Sequence, residues 1–224
     1  MEHIGGILAR SQSLVNIPPL SKSSYTHPED APDYQEPTQE ERKESLRKSL
    51  NISSWDNTFA NFKAVKGTEI ALATFKELAS GKASWNMLLC YGSVGCGKTH
   101  LCEAFSIEFA LRNIRVLEWS EVVRGFKKDM HSEYKDAYDN SFERFRRLPQ
   151  LIIDDIGSGS TGSNWEWGEL EDIVNYRYRE SLLTVMTTNL DIKDLPDRIV
   201  SRFRDAVKGR IVLITAPDYR PKKC

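Results

Sequence analysis

One segment, Gly92-Ser93-Val94-Gly95-Cys96-Gly97-Lys98-Thr99, constrains this chain more than any other. It fits G-x-x-x-x-G-K-[ST] and stands where that pattern has a mechanism. Before it runs the apolar Met87-Leu88-Leu89-Cys90-Tyr91, which reads as a buried strand ending at Gly92. After it come Leu101, Ala104 and Phe105 at helical spacing, which predicts a helix from Lys98 to about Arg112. Glycines allow the sharp backbone turn and the close approach of a phosphate. Successive N–H groups, with Ser93, Val94 and Cys96 contributing theirs, then form an anion nest at a helix N-terminus. Lys98 supplies a cation for the β- and γ-phosphates, and the Thr99 hydroxyl is a hard oxygen ligand for Mg²⁺. A nucleoside triphosphate with Mg²⁺ is the expected ligand.

A triphosphate site also needs a carboxylate near the metal. Leu151-Ile152-Ile153-Asp154-Asp155 offers one at the end of an apolar strand. Asp154 is expected to face the metal and Asp155 to polarise the attacking water. Asn189, closing the strand Leu182–Asn189, is placed to hold the same water, because ligands of open α/β sheets bind at the carboxyl ends of strands. Beyond it Asp197-Arg198-Ile199-Val200-Ser201-Arg202-Phe203-Arg204 reads as a basic helix, with Asp194 as its expected cap. It is either a solvated face or a source of Arg202 for the γ-phosphate of a neighbouring subunit.

The rest of the sequence supports one fold class. A helix is predicted from Thr68 to Gly81, a strand at 116–119 followed by a helix capped by Ser120, a helix from Trp167 to Arg179, and a last strand at 211–215. Short apolar strands alternating with helices predict an α/β fold with a mostly parallel, five-stranded sheet. Residues 21–42 hold no Val, Ile, Leu, Met, Phe or Trp but three prolines and six acids, so they read as a linker that cannot offset its ordering entropy. The expected organisation is residues 1–50 as a mostly disordered segment with a short helix at 41–50 and an apolar start able to dock a partner. Residues 51–220 follow as the folded domain and 221–224 as a tail.

Composition narrows the setting. The 224 residues carry a formal net charge of −1, so nucleic-acid binding requires a local patch rather than a global field. Such a patch is conceivable at 120–147, where Lys127, Lys128, Lys135, Arg144, Arg146 and Arg147 interleave with Tyr134, Tyr138, Phe142 and Phe145. The alternative is an amphipathic helix packing those aromatics on the sheet. The Gly/Ser loop 157–164 before Trp165 is a second candidate contact, or a plain connector. No apolar run is long enough for a membrane helix, and the N-terminus lacks a signal-peptide pattern, so a cytoplasmic setting is expected. Cys90, Cys96, Cys102 and Cys224 show no metal-ligand spacing and read as reduced thiols.

Taken together the motifs resemble those of AAA+ ATPases, and among them the bacterial helicase-loader branch (DnaC, DnaI and the IstB transposition ATPases). The resemblance rests on Gly-Lys-Thr-His-Leu (97–101), Leu-Ile-Ile-Asp-Asp (151–155), Asn-Tyr-Arg-Tyr-Arg (175–179), Thr-Thr-Asn-Leu (187–190), Arg-Ile-Val-Ser-Arg-Phe (198–203) and Asp-Tyr-Arg (218–220), in that order. It implies a three-layer P-loop fold in which residues 92–99 are the Walker A loop, with His100 among the nucleotide contacts. Asp154 and Asp155 would be Walker B, Asn189 sensor 1, Arg202 the arginine finger and Arg220 a late arginine sensing nucleotide. Phe59, with Phe62 nearby, would lie near the adenine. Only 22 residues follow Arg202, so no helical lid is expected. The implied activity is slow, assembly-dependent ATP hydrolysis by a loader of the replicative DNA helicase onto single-stranded DNA, with self-association through Arg202. An IstB-like transposase regulator, a non-hydrolysing ATP-bound adaptor and a P-loop kinase for a small substrate share parts of the pattern.

Overall fold

The computed structural model describes residues 37–109, 114–157 and 163–220. The expected docking peptide at the N-terminus, most of the linker, the centre of the Gly/Ser loop and the tail 221–224 lie outside those residues. The elements are α1 (Gln39–Leu50), α2 (Glu69–Ala79), β1 (Met87–Gly92), α3 (Lys98–Glu108), β2 (Val116–Glu118), α4 (Trp119–Met130), α5 (Ala137–Arg146), β3 (Gln150–Ile156), α6 (Asn164–Arg179), β4 (Leu183–Thr188), a 3₁₀ turn (Ile192–Asp194), α7 (Asp197–Phe203) and β5 (Gly209–Ile214).

The five strands are all parallel, in the order β2-β3-β4-β1-β5. Strand side chains alternate between two apolar layers, as the period of two requires. Leu88, Cys90, Ile152, Val185, Val212 and Ile214 face α2 and α3, meeting Phe75, Leu78, Leu101 and Phe105. Met87, Leu89, Leu151, Ile153 and Met186 face α4, α6 and α7, meeting Trp119, Phe126, Ile173, Val174 and Phe203. This is the expected three-layer α/β fold. The order has a direct consequence for the site. Strand β4 lies between β1 and β3, so the residue that closes β4 stands between the loop leaving β1 and the acids ending β3.

Several boundaries differ from expectation for identifiable reasons. Residues 39–42, read as linker, form the first turn of α1. Thr38 and Glu41 make a reciprocal capping box: Glu41 N donates to Thr38 Oγ1 at 3.2 Å, and Thr38 N donates to Glu41 Oε2 at 2.8 Å. The helix delivers Leu50 into the core, where it is fully buried beside Ile52. Ser120 is not a cap, because α4 already starts at Trp119, whose ring is buried. Asp194 closes the 3₁₀ turn capped by Asp191, and α7 begins only after Pro196. Helix α3 ends at Glu108 rather than running on to Arg112.

The N-terminal segment is fastened to α3 through Glu103. This buried carboxylate accepts from Ser53 N at 3.0 Å, Ser53 Oγ at 3.0 Å and Asn57 Nδ2 at 2.7 Å. Opposite the nucleotide end of the sheet, Arg177 on α6 is fully buried. Its Nη1 donates to Arg146 O (3.0 Å) and Leu148 O (2.6 Å), its Nη2 to Leu183 O (2.6 Å) and its Nε to Thr184 Oγ1 (2.8 Å). Burial pushes the guanidinium down to about 9, so it keeps its charge and all its donors at neutral pH. One side chain thus ties the end of α5, the approach to β3 and the start of β4. Arg177→Met strands several buried acceptors and is expected to cost about 3 kcal/mol or more. Thermal unfolding should show a clear fall in Tm, with Arg177→Lys recovering only part of it for want of the planar fork. A melting curve indistinguishable from wild type would show that the clamp is not needed.

Candidate nucleotide-binding site

The loop between β1 and α3 takes its shape from its glycines. Gly95 has φ +75° and Gly97 φ +103°, in the left-handed region. A methyl group on Gly97 would also meet Phe62 Cε2 at 2.9 Å. Lys98 turns back over the loop and is 6% exposed. Its Nζ donates to Gly92 O (2.8 Å), Ser93 O (2.8 Å) and Asn189 Oδ1 (2.7 Å), with Cys96 Sγ at 3.6 Å. None of the four is a carboxylate. The carbonyls of Gly92 and Ser93 thus point to the lysine, and the N–H groups of the same two peptide planes point away from it.

The acidic half of the site is built on an irregularity in β3. Pairing with β4 shifts register between Ile153 and Ile156, and Asp155 sits at φ +58°, uncommon for a residue with a side chain. Two threonines of β4 take over the bonds the bulge frees. Thr187 Oγ1 accepts from Asp155 N at 3.0 Å and donates to Asp154 Oδ1, and Thr188 Oγ1 donates to Ile156 O at 2.7 Å. The bulge turns the two carboxylates to different tasks. Asp154, buried, accepts from Thr99 Oγ1 through Oδ2 at 2.6 Å. Asp155, half-buried, accepts from Asn189 Nδ2 through Oδ1 at 2.5 Å. Asn189 therefore bridges Lys98 and Asp155 with its two amide atoms.

Five of the predicted residues, Lys98, Thr99, Asp154, Asp155 and Asn189, thus form one bonded group. Thr99 Oγ1 and Asp154 Oδ2 are the hard-oxygen pair that could hold a magnesium ion whose other ligands are water and phosphate. No cluster of three or more His, Cys, Asp or Glu side chains suited to a metal occurs among the described residues, and an ion carried by a nucleotide needs none. Beside Thr99 and Asp154 opens a cavity of about 380 Å³, lined also by Arg47, Glu103, Glu118 and Glu121. The Glu118 carboxyl is raised by burial and then by the charges of Glu121, Asp154 and Asp155, with Arg124 opposing. Burial pushes the Cys90 and Cys102 thiols up, so they are protonated core groups.

The remaining candidates fall elsewhere. Phe59 is buried in the core; Phe62 is the ring against Gly97, edge-on to His100 at 5.1 Å. His100 Nε2 lies 3.0 Å from Thr58 O. Arg220 is exposed, and its backbone N–H donates to Asp218 Oδ1 at 2.9 Å. Arg202 belongs to the α6–α7 layer: its Nε donates to Asn175 Oδ1 at 2.8 Å and its guanidinium lies 5.0 Å from the Tyr178 ring centroid. Of the interleaved aromatics, Tyr138, Phe142 and Phe145 pack around Phe126, as the amphipathic reading expected, and Tyr134 is exposed.

Known proteins resemble this chain in sequence and fold. The family described as the Bacterial DnaA ATPase domain matches residues 54–209. The chain belongs to this family. It is an AAA+ ATPase domain of the DnaA type. The chromosomal replication initiator protein DnaA of Limosilactobacillus reuteri (strain DSM 20016) is 32% identical over 172 residues, 73% of this chain. The chain spans only 38% of that relative's length. The structure of AMPPCP-bound DnaA from Aquifex aeolicus is 25% identical with a TM-score of 0.62, covering 73% of this chain and 51% of that one. The crystal structure of DnaI is 25% identical with a TM-score of 0.59, covering 80% of this chain and all (100%) of that one. The resemblance expected to the loader branch is therefore met at the level of an AAA+ ATPase related to DnaA and DnaI, and the family that matches is the DnaA one.

Sequence reasoning missed Thr187 and Thr188 as organisers of the acidic pair, although Thr-Thr-Asn was in view. Two polar residues closing an apolar strand were the available signal. Asp155→Asn is expected to leave ATP binding within about threefold of wild type while lowering hydrolysis by roughly 10²–10⁴, the usual contribution of a positioned base. Nucleotide titration and phosphate release measure the two separately, and full hydrolysis by the variant would remove Asp155 from the chemistry.

Proposed function

We propose that this chain is an ATP-dependent loader that places the replicative DNA helicase on single-stranded DNA during replication. The observation that carries the reading is the division of the nucleotide machinery between two layers. Lys98, Thr99, Asp154, Asp155 and Asn189 are joined at the carboxyl ends of the strands, whereas Arg202 is held on the helical layer by Asn175 and Tyr178. An arginine presented this way serves the γ-phosphate of a neighbouring copy, so hydrolysis follows assembly. The likeness to DnaI, which spans that whole chain, supports the loader reading.

In this reading the loop amides and Lys98 bind the triphosphate, and Thr99 with Asp154 hold its magnesium, which neutralises phosphate charge. Lys98 gives up Asn189 Oδ1 when it engages phosphate, and Asn189 is then free to orient the attacking water with Asp155. Arg202 from the adjoining subunit stabilises the charge that develops on the phosphoryl oxygens. The change in subunit contact alters the grip on helicase and on single-stranded DNA, for which the lysines of α4 and Tyr134 are the contact candidates.

The DnaA family match favours one alternative, a replication regulator that assembles with a DnaA-type initiator. Co-purification with the host's helicase and with its initiator, each with and without ATP, separates them; ATP-dependent capture of the initiator alone would sink the loader. Arg202→Ala is expected to keep nucleotide affinity near wild type and to lower turnover by about 10³ or more in assemblies made only of the variant. Adding subunits with intact Arg202 but Asp155→Asn should restore part of that turnover, and none restored would mean that Arg202 does not act across a junction.

A further inference from the structure

The last described residues pass directly over the phosphate loop. Thr215 N donates to Gly67 O at 3.1 Å, fastening the segment beside the start of α2. Ala216 O then accepts from Ser93 Oγ at 3.2 Å, and Tyr219 N donates to Gly95 O at 3.0 Å. Asp218 lies against Gly95 so closely that a methyl group there would overlap its carboxylate. The same carboxylate accepts Arg220 N at 2.9 Å through Oδ1, a local turn that orients the intervening Tyr219 N–H.

These contacts bear on a specific peptide group. The C=O of Gly95 and the N–H of Cys96 share one rigid trans plane and point in opposite directions. Holding the carbonyl outward with Tyr219 N–H holds the Cys96 N–H inward, toward the phosphates. Lys98 already fixes the carbonyls of Gly92 and Ser93 from the inside. The Gly95–Cys96 plane follows Gly95, a glycine at positive φ whose missing side chain leaves that plane less restricted than one between two substituted residues.

We propose that Thr215–Arg220 is a strap that sets the Gly95–Cys96 peptide plane for nucleotide binding, with Asp218 as its positioning residue. The inference rests on the ATP site described above and assigns a role that does not involve the Arg220 side chain. Asp218 acts through the turn it closes, so its charge is dispensable and its acceptor oxygen is not. The strap preorganises the ground state and touches no reacting atom, so it should appear in KM rather than in kcat.

The test compares Mg-ATP affinity and steady-state hydrolysis in wild type, Asp218→Ala and Asp218→Asn, with Lys98→Ala as a control for the site. Asp218→Ala should raise both Kd and KM roughly 3- to 10-fold, the equivalent of one hydrogen bond, with kcat within about twofold. Asp218→Asn keeps the acceptor and should stay within about twofold of wild type or bind slightly tighter, having lost a negative charge near phosphate. Wild-type affinity in Asp218→Ala, a fall in kcat at constant KM, or equal weakening in Asp218→Asn would each overturn the proposal. Lys98→Ala should lose ATP binding; if it binds normally, the phosphate site itself is wrong, a result distinct from failure of the strap. Hydrogen exchange on the wild-type chain keeps the question open to refutation should Asp218→Ala not fold. The Tyr219 amide should be protected without nucleotide and more so with Mg-ATP, and exchange at the free-chain rate in both states would refute the strap.

Discussion

A buried ammonium that bonds no carboxylate directly governs the rest of this structure. Lys98 is almost sealed from water, yet two loop carbonyls, a side-chain amide and a thiol surround it at hydrogen-bonding distance. Such a charge is satisfied in its hydrogen bonds, while the acid Asp155 reaches it through the Asn189 amide. A triphosphate would give the ammonium a directly bonded negative partner. The same bonds aim the carbonyls of Gly92 and Ser93 at the lysine and so fix the start of the loop.

The acidic half answers through geometry. A regular parallel strand would send Asp154 and Asp155 to opposite faces of the sheet. The bulge breaks that alternation, and Thr187 and Thr188 satisfy the backbone and carboxylate groups it leaves. Positive φ at Asp155 is a local strain sustained because the neighbouring bonds leave no better arrangement. The result is one acid against Thr99 and another against Asn189, two roles from adjacent residues. Strand order completes the arrangement, since Asn189 bridges Lys98 and Asp155 only because β4 runs between β1 and β3.

What the sequence disclosed follows from how local each constraint is. The phosphate loop was legible because a sharp turn, a helix start and a phosphate each demand particular residue types at fixed spacing. Asp154, Asp155 and Asn189 were legible as polar ends of apolar strands. The three-layer α/β fold followed from strands that are apolar on both faces. Where the outcome depended on distant partners, reading failed. Nothing local says that Phe59 enters the core while Phe62 reaches Gly97, or that Arg177 is an interior clamp rather than one more surface charge. The start of α1 was different: the Thr38–Glu41 capping box was present, but prolines and acids around it spoke for a linker. Asp218 meets Gly95 across more than a hundred residues, a pairing that no spacing rule announces.

Helix α3 is where these separate constraints converge. Its first turn carries Lys98 and Thr99, and its second carries Glu103, the carboxylate that fastens Ser53 and Asn57. The loop before it is gripped from outside by residues 215–219, which are themselves tied to Gly67 at the start of α2. Segments from both sides of the sheet's sequence therefore close on the helix whose N-terminus ends the phosphate loop. Interiors packed at crystal density do not absorb displacements softly, so a small shift of the loop on binding phosphate has to be taken up along these fastenings. A cavity between α1, α3 and the ends of β2 and β3 adjoins Thr99 and Asp154. Its acidic lining also places it where an incoming cation would be drawn toward Asp154.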